Sequence, residues 1–486
     1  MHHRNPCQHF ARHHQSGQRF HLKEPWCILA DWPSRIWEND NCIYNSQAIR
    51  QDKDPDDDLH TVLGGNFLCS RQFQETRERT RIVPTIAYQL SRKCKPDADA
   101  LHNADNFDAV DHEVSTQLRD LLVGPWQQST RGPTLPLYLI VIDALDEING
   151  DGGSVFLRDL LTAIDEYDLR GLKFLVTSRP DSAVVMLCKS FTSDAVRWLQ
   201  RVPIEEAELD IGTYLMARLP RLTWSPKLDE VRRRAGGLFI YAATVVKYLT
   251  PYPSITVREQ TEMLGELLSS PSESASSDAT FLVDDLYRQI MRDKFSKYKG
   301  RVLARRLRIL HTFLCTAERT STSLAAALVE DDDDDVARAV VQDLHAVLYT
   351  QGNRVFWYHG SFPDFIFNPS RSNFENFGFS CNENAHHDLL GESCFRVMKS
   401  SLRFNNVSSV LEYSSRHWIH HMPSPQMQSS NLRFCISEFL QIRVLFWIEV
   451  MNLLKSRNQC TPMLQRAREW VLKVWIVWFE LYFKIN

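Results

Sequence analysis

Three acids and one arginine are the residues of this sequence whose types and spacing could do chemistry. Val141, Ile142, Asp143, Ala144, Leu145, Asp146 and Glu147 close a long apolar run, so a strand core stops at a carboxylate with two more acids just beyond it. A buried strand that ends this way can hold Mg²⁺ beside phosphate groups, with Asp143 on the metal side. Asp146 and Glu147 would then orient or activate the water that attacks a terminal phosphate, because such hydrolysis needs an in-line nucleophile and little other covalent help. Arg179 follows a second apolar run, and a guanidinium there can read a third phosphate and so distinguish ATP from ADP. Plainer roles stand beside these: the acids as caps of the next helix, and Arg179 as a surface salt bridge.

These side chains need a frame. Leu135 to Glu147 (LPLYLIVIDALDE) is apolar without alternation, which suits a strand buried on both faces of a parallel sheet. Val155 to Ile164 places Phe156, Leu160, Leu161 and Ile164 near helical spacing, and Leu172 to Val176 returns to strand character. Strand, helix, strand in this order implies a right-handed crossover in an open α/β sheet. The acids and Arg179 then fall at the carboxyl ends of neighbouring strands, where such sheets bind ligands. Upstream, Gly65 to Leu90 reads as a short strand, a charged loop and a helix with Ile86 and Leu90 on one face. Residues 1–60 have few periodicities and end in the acidic stretch Asp52 to Asp58, so order is expected to begin near Gly64.

The remainder reads as mostly helical. Residues 196–268 form a helical region that includes Ala235 to Leu249, and the Ser-rich stretch at 269–279 marks a domain boundary. In 280–370, amphipathic helices at Leu303 to Leu314 and Ala337 to Leu348 precede a hairpin around Gln351 to Asn353, the pattern of a winged-helix-like unit. Residues 371–486 are helical and aromatic-rich, and no repeat of roughly 20 to 50 residues is found.

Composition narrows the function classes. The 486 residues are 24% charged and 43% hydrophobic with a net charge of -4, the balance of an ordinary soluble protein and a poor one for neutralising phosphate backbones. A nucleic-acid partner is therefore not expected. Eleven cysteines without a C-x-x-C pair indicate neither a disulfide framework nor a zinc knuckle, and fit a reducing, cytoplasmic compartment. The first residues lack the apolar core of a secretory signal, and their histidines lack the spacing of a metal site. Trp470 to Phe483 is too short to span a bilayer and is interrupted by Lys473 and Glu480, so no membrane is expected.

The chain resembles the NACHT-type nucleotide-switch ATPases of fungi, the STAND class, related to immune receptors and vegetative-incompatibility proteins. The resemblance rests on GGNFLCSR (Gly64 to Arg71), IVPTIAYQL (Ile82 to Leu90), LIVIDALDE (Leu139 to Glu147), LKFLVTSRP (Leu172 to Pro180), AGGLFIYAA (Ala235 to Ala243) and YHGSFPDFI (Tyr358 to Ile366). It implies a P-loop NTPase-like α/β core at 61–195, then helical and winged-helix-like domains, and an ATP/ADP switch with Mg²⁺ and slow hydrolysis. It also implies regulation through protein partners or self-assembly, and a winged-helix histidine near bound ADP, for which His359 is the candidate. A buried structural role is the plainer reading of His359. The alternative from another class is a nucleotide-independent interaction scaffold that keeps the α/β core for packing alone.

One departure is serious: no G-x-x-x-x-G-K-[ST] occurs in the sequence, and without it the backbone cradle and lysine that hold phosphates are missing. Codon arithmetic supplies an explanation. Tryptophan has the single codon TGG, and proline codons begin CC, so skipping one nucleotide turns Trp32 into the glycine codon GGC. By the same step Trp37, followed by Glu38, becomes GGG, and Glu38 followed by Asn39 must give lysine or arginine. From Cys27 to Cys42 the shifted frame allows V-F-W-L-T-G-P-P-G-S-G-K-T-T-I-A, a strand, a phosphate loop and a helix start. Only the two glycines and the basic residue are forced. The expectation is that residues from about 27 to about 49 are read in the wrong frame, through a gene-model or sequencing error or a genuine lesion.

Weaker signals have plain readings. Glu330 with Asp331 to Asp335 lacks the alternating ligands and turn glycine of an EF-hand and reads as a solvated loop. His417, His420 and His421 have helix-like spacing without a cysteine or carboxylate to complete a set, so packing or exposure is expected. Arg301, Arg305, Arg306 and Arg308 read as the wet face of their helix.

Overall fold

The computed structural model describes residues 26–31, 61–104, 106–130, 136–167, 169–179, 182–191, 196–199, 204–269, 279–329, 334–374, 377–401, 407–422 and 430–485. The chain divides into two compact units, Met1–Ala243 and Thr244–Asn486.

The first unit is built on a five-stranded parallel sheet of β1 (Trp26–Asp31), β2 (Thr61–Leu68), β3 (Leu137–Asp143), β4 (Leu172–Ser178) and β5 (Val196–Leu199), in the order β2-β3-β4-β1-β5. β3 and β4 lack alternation because both faces are covered: Ile140, Ile142, Phe174 and Val176 are buried, and so are Leu137, Asp143, Lys173 and Thr177 at positions of the opposite parity. Helix α1 (Ile82–Ser91) buries Ile82, Val83, Ile86, Ala87 and Leu90, and α2 (Gly152–Glu166) buries Phe156, Leu157, Leu160, Leu161 and Ile164. Each set recurs at three- and four-residue steps, which puts one apolar stripe on each helix. Burying such side chains stabilises by about 2 kcal/mol apiece, before the entropy of ordering the chain is charged against it.

One element lies where little order was expected. Trp26–Asp31 falls inside 1–60, yet it pairs in parallel with β4 on one side and β5 on the other. The apolar stretch Cys27 to Ala30 is short but sufficient, because a central strand gains ladder bonds from two neighbours. The out-of-frame segment beyond Asp31 and the acidic stretch Asp52 to Asp58 lie outside the described residues.

In the second unit, α3 (Val257–Ser269) and α4 (Ala279–Phe295) flank the Ser-rich stretch. The Gln289 side chain donates to the carbonyls of Glu266 (3.2 Å) and Leu267 (2.7 Å), so the two helices that flank this stretch are tied to each other. Helices α5 (Gly300–Cys315) and α6 (Asp335–Asp343) precede the expected hairpin, β6 (Leu348–Gln351) and β7 (Arg354–Trp357). Its turn residues Gly352 and Asn353 both have positive φ, 56° and 64°, as a two-residue hairpin loop requires.

Arg306 departs from its expected wet face. It is 8% exposed, pairs with Asp343 at 2.7 Å and lies 3.9 Å from the Tyr298 ring centre, which together offset its removal from water. Glu330 to Asp333 lie outside the described residues, while Asp334 opens α6 and pairs with Arg338 at 2.7 Å. Farther on, α7 (Ser361–Phe367), the short strands β8 (Asn373–Phe374) and β9 (Phe377–Gly378), α8 (Glu383–Ser401) and α9 (Ser409–His417) lead to a buried aromatic group of Phe395, Trp418, Phe439 and Trp447. Among the described residues, no helix is long and apolar enough to cross a membrane.

Candidate functional site

β3 delivers Asp143 as its last residue, and Ala144 then takes a left-handed conformation (φ 55°, ψ 49°) that turns the chain into the single helical turn Leu145–Glu147. Leu145 is fully buried and pins this turn. Gly153 makes the approach possible, since a Cβ there would sit 2.5 Å from the Leu145 carbonyl oxygen.

Asp143 is 6% exposed. Its Oδ1 accepts from the Thr177 hydroxyl at 2.5 Å, and that hydroxyl oxygen accepts from the Ala144 amide at 2.8 Å. Thr177 therefore ties the end of β3 to β4. The Asp143 carbonyl accepts from the Cys69 amide at 2.9 Å, which ties β3 to β2.

Asp146 and Glu147 meet Arg179 as the strand order requires. Arg179 donates to Asp146 through its amide (3.0 Å) and its Nε (2.5 Å), and its guanidinium lies 3.6 Å from Glu147. Arg71 completes the cluster from the end of β2: its amide donates to Glu147 at 3.2 Å and its guanidinium to the Asp146 carbonyl at 3.1 Å. Arg71 was not among the site residues read from sequence, although it closes the GGNFLCSR segment. The signal was its place after a strand that runs parallel to β3, since carboxyl ends of parallel neighbours lie side by side.

Burial pushes the Asp143 carboxyl above the usual range, against the opposing pull of the Thr177 hydrogen bond. Glu147 is raised for the same first reason, with Arg71 pulling it down. Burial also raises the Cys69 thiol, and the three acids beside it add to the effect. Two guanidiniums thus face Asp146 and Glu147, while Asp143 rests on the Thr177 hydroxyl. Asp146 also lines a cleft of about 220 Å³ with Ser178, Asp151 and Ser154.

His359 belongs to the second unit. Its Nδ1 accepts from the Ser361 amide at 3.0 Å, so the neutral ring caps the first turn of α7. His421 is buried and His420 exposed, and His417 lies 3.5 Å from Glu318.

The segment 46–179 matches the family model described as Nephrocystin 3, N-terminal. No curated protein matches. Among solved structures, the chain is similar to a signal transduction ATPase with numerous domains (STAND) with a tetratricopeptide repeat sensor from Pyrococcus horikoshii, at 10% identity and TM-score 0.33, covering 94% of this chain and 63% of that one. A Thermotoga maritima RuvB mutant is similar over 67% of this chain and 94% of its own, at 11% identity and TM-score 0.21. The chain thus spans less than two thirds of the length of the first of these relatives.

Hard carboxylate oxygens gathered at a strand end fit a divalent cation such as Mg²⁺. For the phosphates of a nucleotide the fit is partial, because Arg71 and Arg179 are present but the sequence as written contains no lysine loop.

Proposed function

We propose that this chain is a NACHT/STAND-type ATP/ADP-dependent regulatory switch whose phosphate loop is displaced from the reading frame as written. One observation carries the reading: β1 runs between β4 and β5, so the chain leaves it at Asp31, level with Ser178, beside the acid cluster. β1 connects toward β2 while β4 connects past β1 to β5, which makes the β1–β4 crevice the point where strand order reverses. A phosphate loop belongs there, and the first forced glycine of the shifted frame is the residue after Asp31. The family match begins at residue 46, at the end of the out-of-frame segment, and its model describes a NACHT-related region.

In the competent form Asp143 would hold Mg²⁺, Asp146 and Glu147 would orient water, and Arg179 would sense a third phosphate. The metal would supply charge neutralisation for the phosphates. Arg179 must first leave Asp146 for a phosphate, so the same ion pair that closes the cluster in this state is the one a nucleotide would exchange. The winged-helix-like domain, with His359 toward ADP, would relay that exchange to protein partners or to self-assembly in the cytoplasm.

A second reading has its own support. Asp146 and Glu147 are already paired with arginines, as an interaction scaffold without nucleotide would keep them. Isothermal titration of ATP and ADP into the chain as written and into a frame-restored chain separates the two. The switch predicts binding by the restored chain alone. Binding by neither leaves the scaffold, and a transcript that confirms the written frame makes the loss real.

A further inference from the structure

The second unit contains a group of side chains that the switch does not use. Helix α5 carries His311 and Cys315 one turn apart, on the same face. The strand pair β8–β9 leads into Cys381, and the first turn of α8 carries His386. Cys315, Cys381 and His386 are 4%, 2% and 7% exposed. The Sγ atoms of Cys315 and Cys381 lie 3.9 Å apart, and ligand atoms of His311, Cys381 and His386 all lie within 4.8 Å of one another.

Hydrogen bonding fixes the tautomers. The His311 Nε2 lies 3.1 Å from the Phe379 carbonyl, which can only accept, so Nε2 carries the hydrogen and Nδ1 keeps a lone pair. The Thr312 hydroxyl gives its hydrogen to the Arg308 carbonyl at 2.9 Å, so at 3.0 Å it accepts from the His386 Nε2. His386 therefore also keeps its lone pair on Nδ1. A ring that is neutral, with one nitrogen tied to an oxygen acceptor and the other unprotonated, is the form in which histidine binds metal.

We propose that His311, Cys381 and His386 form a structural zinc site that clasps α5 to the start of α8, with Cys315, whose sulfur touches that of Cys381, closing in as the fourth ligand. In a tetrahedral site with Zn–S bonds of about 2.3 Å, two thiolate sulfurs stand roughly 3.8 Å apart, close to the separation here and far from a disulfide bond. Two thiolates and two imidazoles select zinc over magnesium or calcium, which prefer oxygen. Zinc would displace the Cys315 proton and take both sulfurs as thiolates.

The neighbouring imidazoles make a poorer site. The Ala317 amide donates to the Tyr413 hydroxyl, which can donate to the His421 Nε2 at 2.8 Å, and the His421 Nδ1 lies 2.9 Å from the His387 Nδ1. Both nitrogens of His421 are thereby committed.

The test uses the full chain, purified under reducing conditions from zinc-supplemented cells. The expected result is about one zinc per chain by elemental analysis, together with a thiolate-to-metal charge-transfer band and tetrahedral visible bands when Co²⁺ is substituted. Cys381→Ser should cut that band to about half or less, and His420→Ala should leave it unchanged. Imidazole-only binding, at the His387 group or at the N-terminal histidines, gives no thiolate band and would overturn the proposal. So would a folded chain that takes up neither metal, or a Cys315–Cys381 disulfide in its place. If Cys381→Ser fails to fold, the cobalt spectrum of the unmutated chain decides alone.

Discussion

The strand-end acids of the first unit and the thiol–imidazole group of the second both bury titratable side chains, but they are neutralised differently. Asp146 and Glu147 face two guanidiniums that the fold itself supplies, and Asp143 rests on a hydroxyl. His311, Cys315, Cys381 and His386 face mainly one another and neutral oxygen acceptors. Hard, charged donors with fixed counter-charges can persist without a ligand, whereas soft donors brought together are, on the proposal above, completed by a metal. Stability of the first unit should thus respond to its arginines, and that of the second to zinc.

The largest expected effect comes from breaking the zinc half of that contrast. Free zinc at 1,000 times its dissociation constant stabilises the folded chain by about 4 kcal/mol, so a chelator should lower the melting temperature by a readily measured amount. Calorimetry with and without EDTA checks this, and a transition that ignores the chelator would put the two clusters on one footing.

Next in size is Arg179→Met, which leaves Asp146 and Glu147 short of a counter-charge. A broken buried pair costs about 3 kcal/mol after allowance for a guanidinium that is 30% exposed. The pH dependence has a definite sign. Asp143 and Glu147 titrate above the unfolded range in the folded chain, chiefly through burial, so the folded state holds more protons. Stability therefore rises as pH falls through the folded values and levels off below about 4. Arg179 pulls Glu147 down, so its loss extends that window upward, and the deficit should be larger at pH 8 than at pH 5 in urea unfolding.

The contrast also explains what could be read from sequence. Asp143, Asp146 and Glu147 stand within five residues, and an apolar run followed by acids announces a strand end. Their meeting with Arg179 followed from parallel order alone. Arg71 was missed because the pairing of β2 with β3 is a tertiary fact. β1 was legible only through the shifted frame, whose first letters from Cys27 allow a strand; as written its six residues carry no periodicity. The thiol–imidazole group was illegible because its ligands lie on two segments, at 311–315 and 381–386, and no C-x-x-C spacing links them. The wet face assigned to Arg306 failed similarly, since Asp343 and Tyr298 reach it only in the folded unit.

A middling effect sharpens the acid half. Thr177→Val removes the hydroxyl shared by Asp143 and the Ala144 amide, leaving a buried carboxyl and a buried amide each short of one partner. That should cost about 2 kcal/mol in denaturant unfolding and raise the Asp143 titration further, since the hydroxyl is what holds it down. An unchanged midpoint would mean that Thr177 is not the tie between β3 and β4.

The smallest effect has the opposite sign. Ala144 is one of three described non-glycine residues with positive φ, and none of the three lies in the thiol–imidazole group. Left-handed backbone costs alanine roughly 1 to 2 kcal/mol, and glycine gives back about 0.5 to 1 of that through its greater freedom when unfolded. Ala144→Gly should therefore stabilise the first unit by about 0.5 kcal/mol while leaving the Thr177 bond to the residue 144 amide intact. Backbone strain held at one cluster and absent from the other is what a turn that must aim carboxylates would need, and a clasp closed by zinc would not. A loss of more than about 1 kcal/mol in the glycine variant would show instead that the half-buried Ala144 methyl packs against the turn, and that the left-handed geometry is held by contact and not endured for aim.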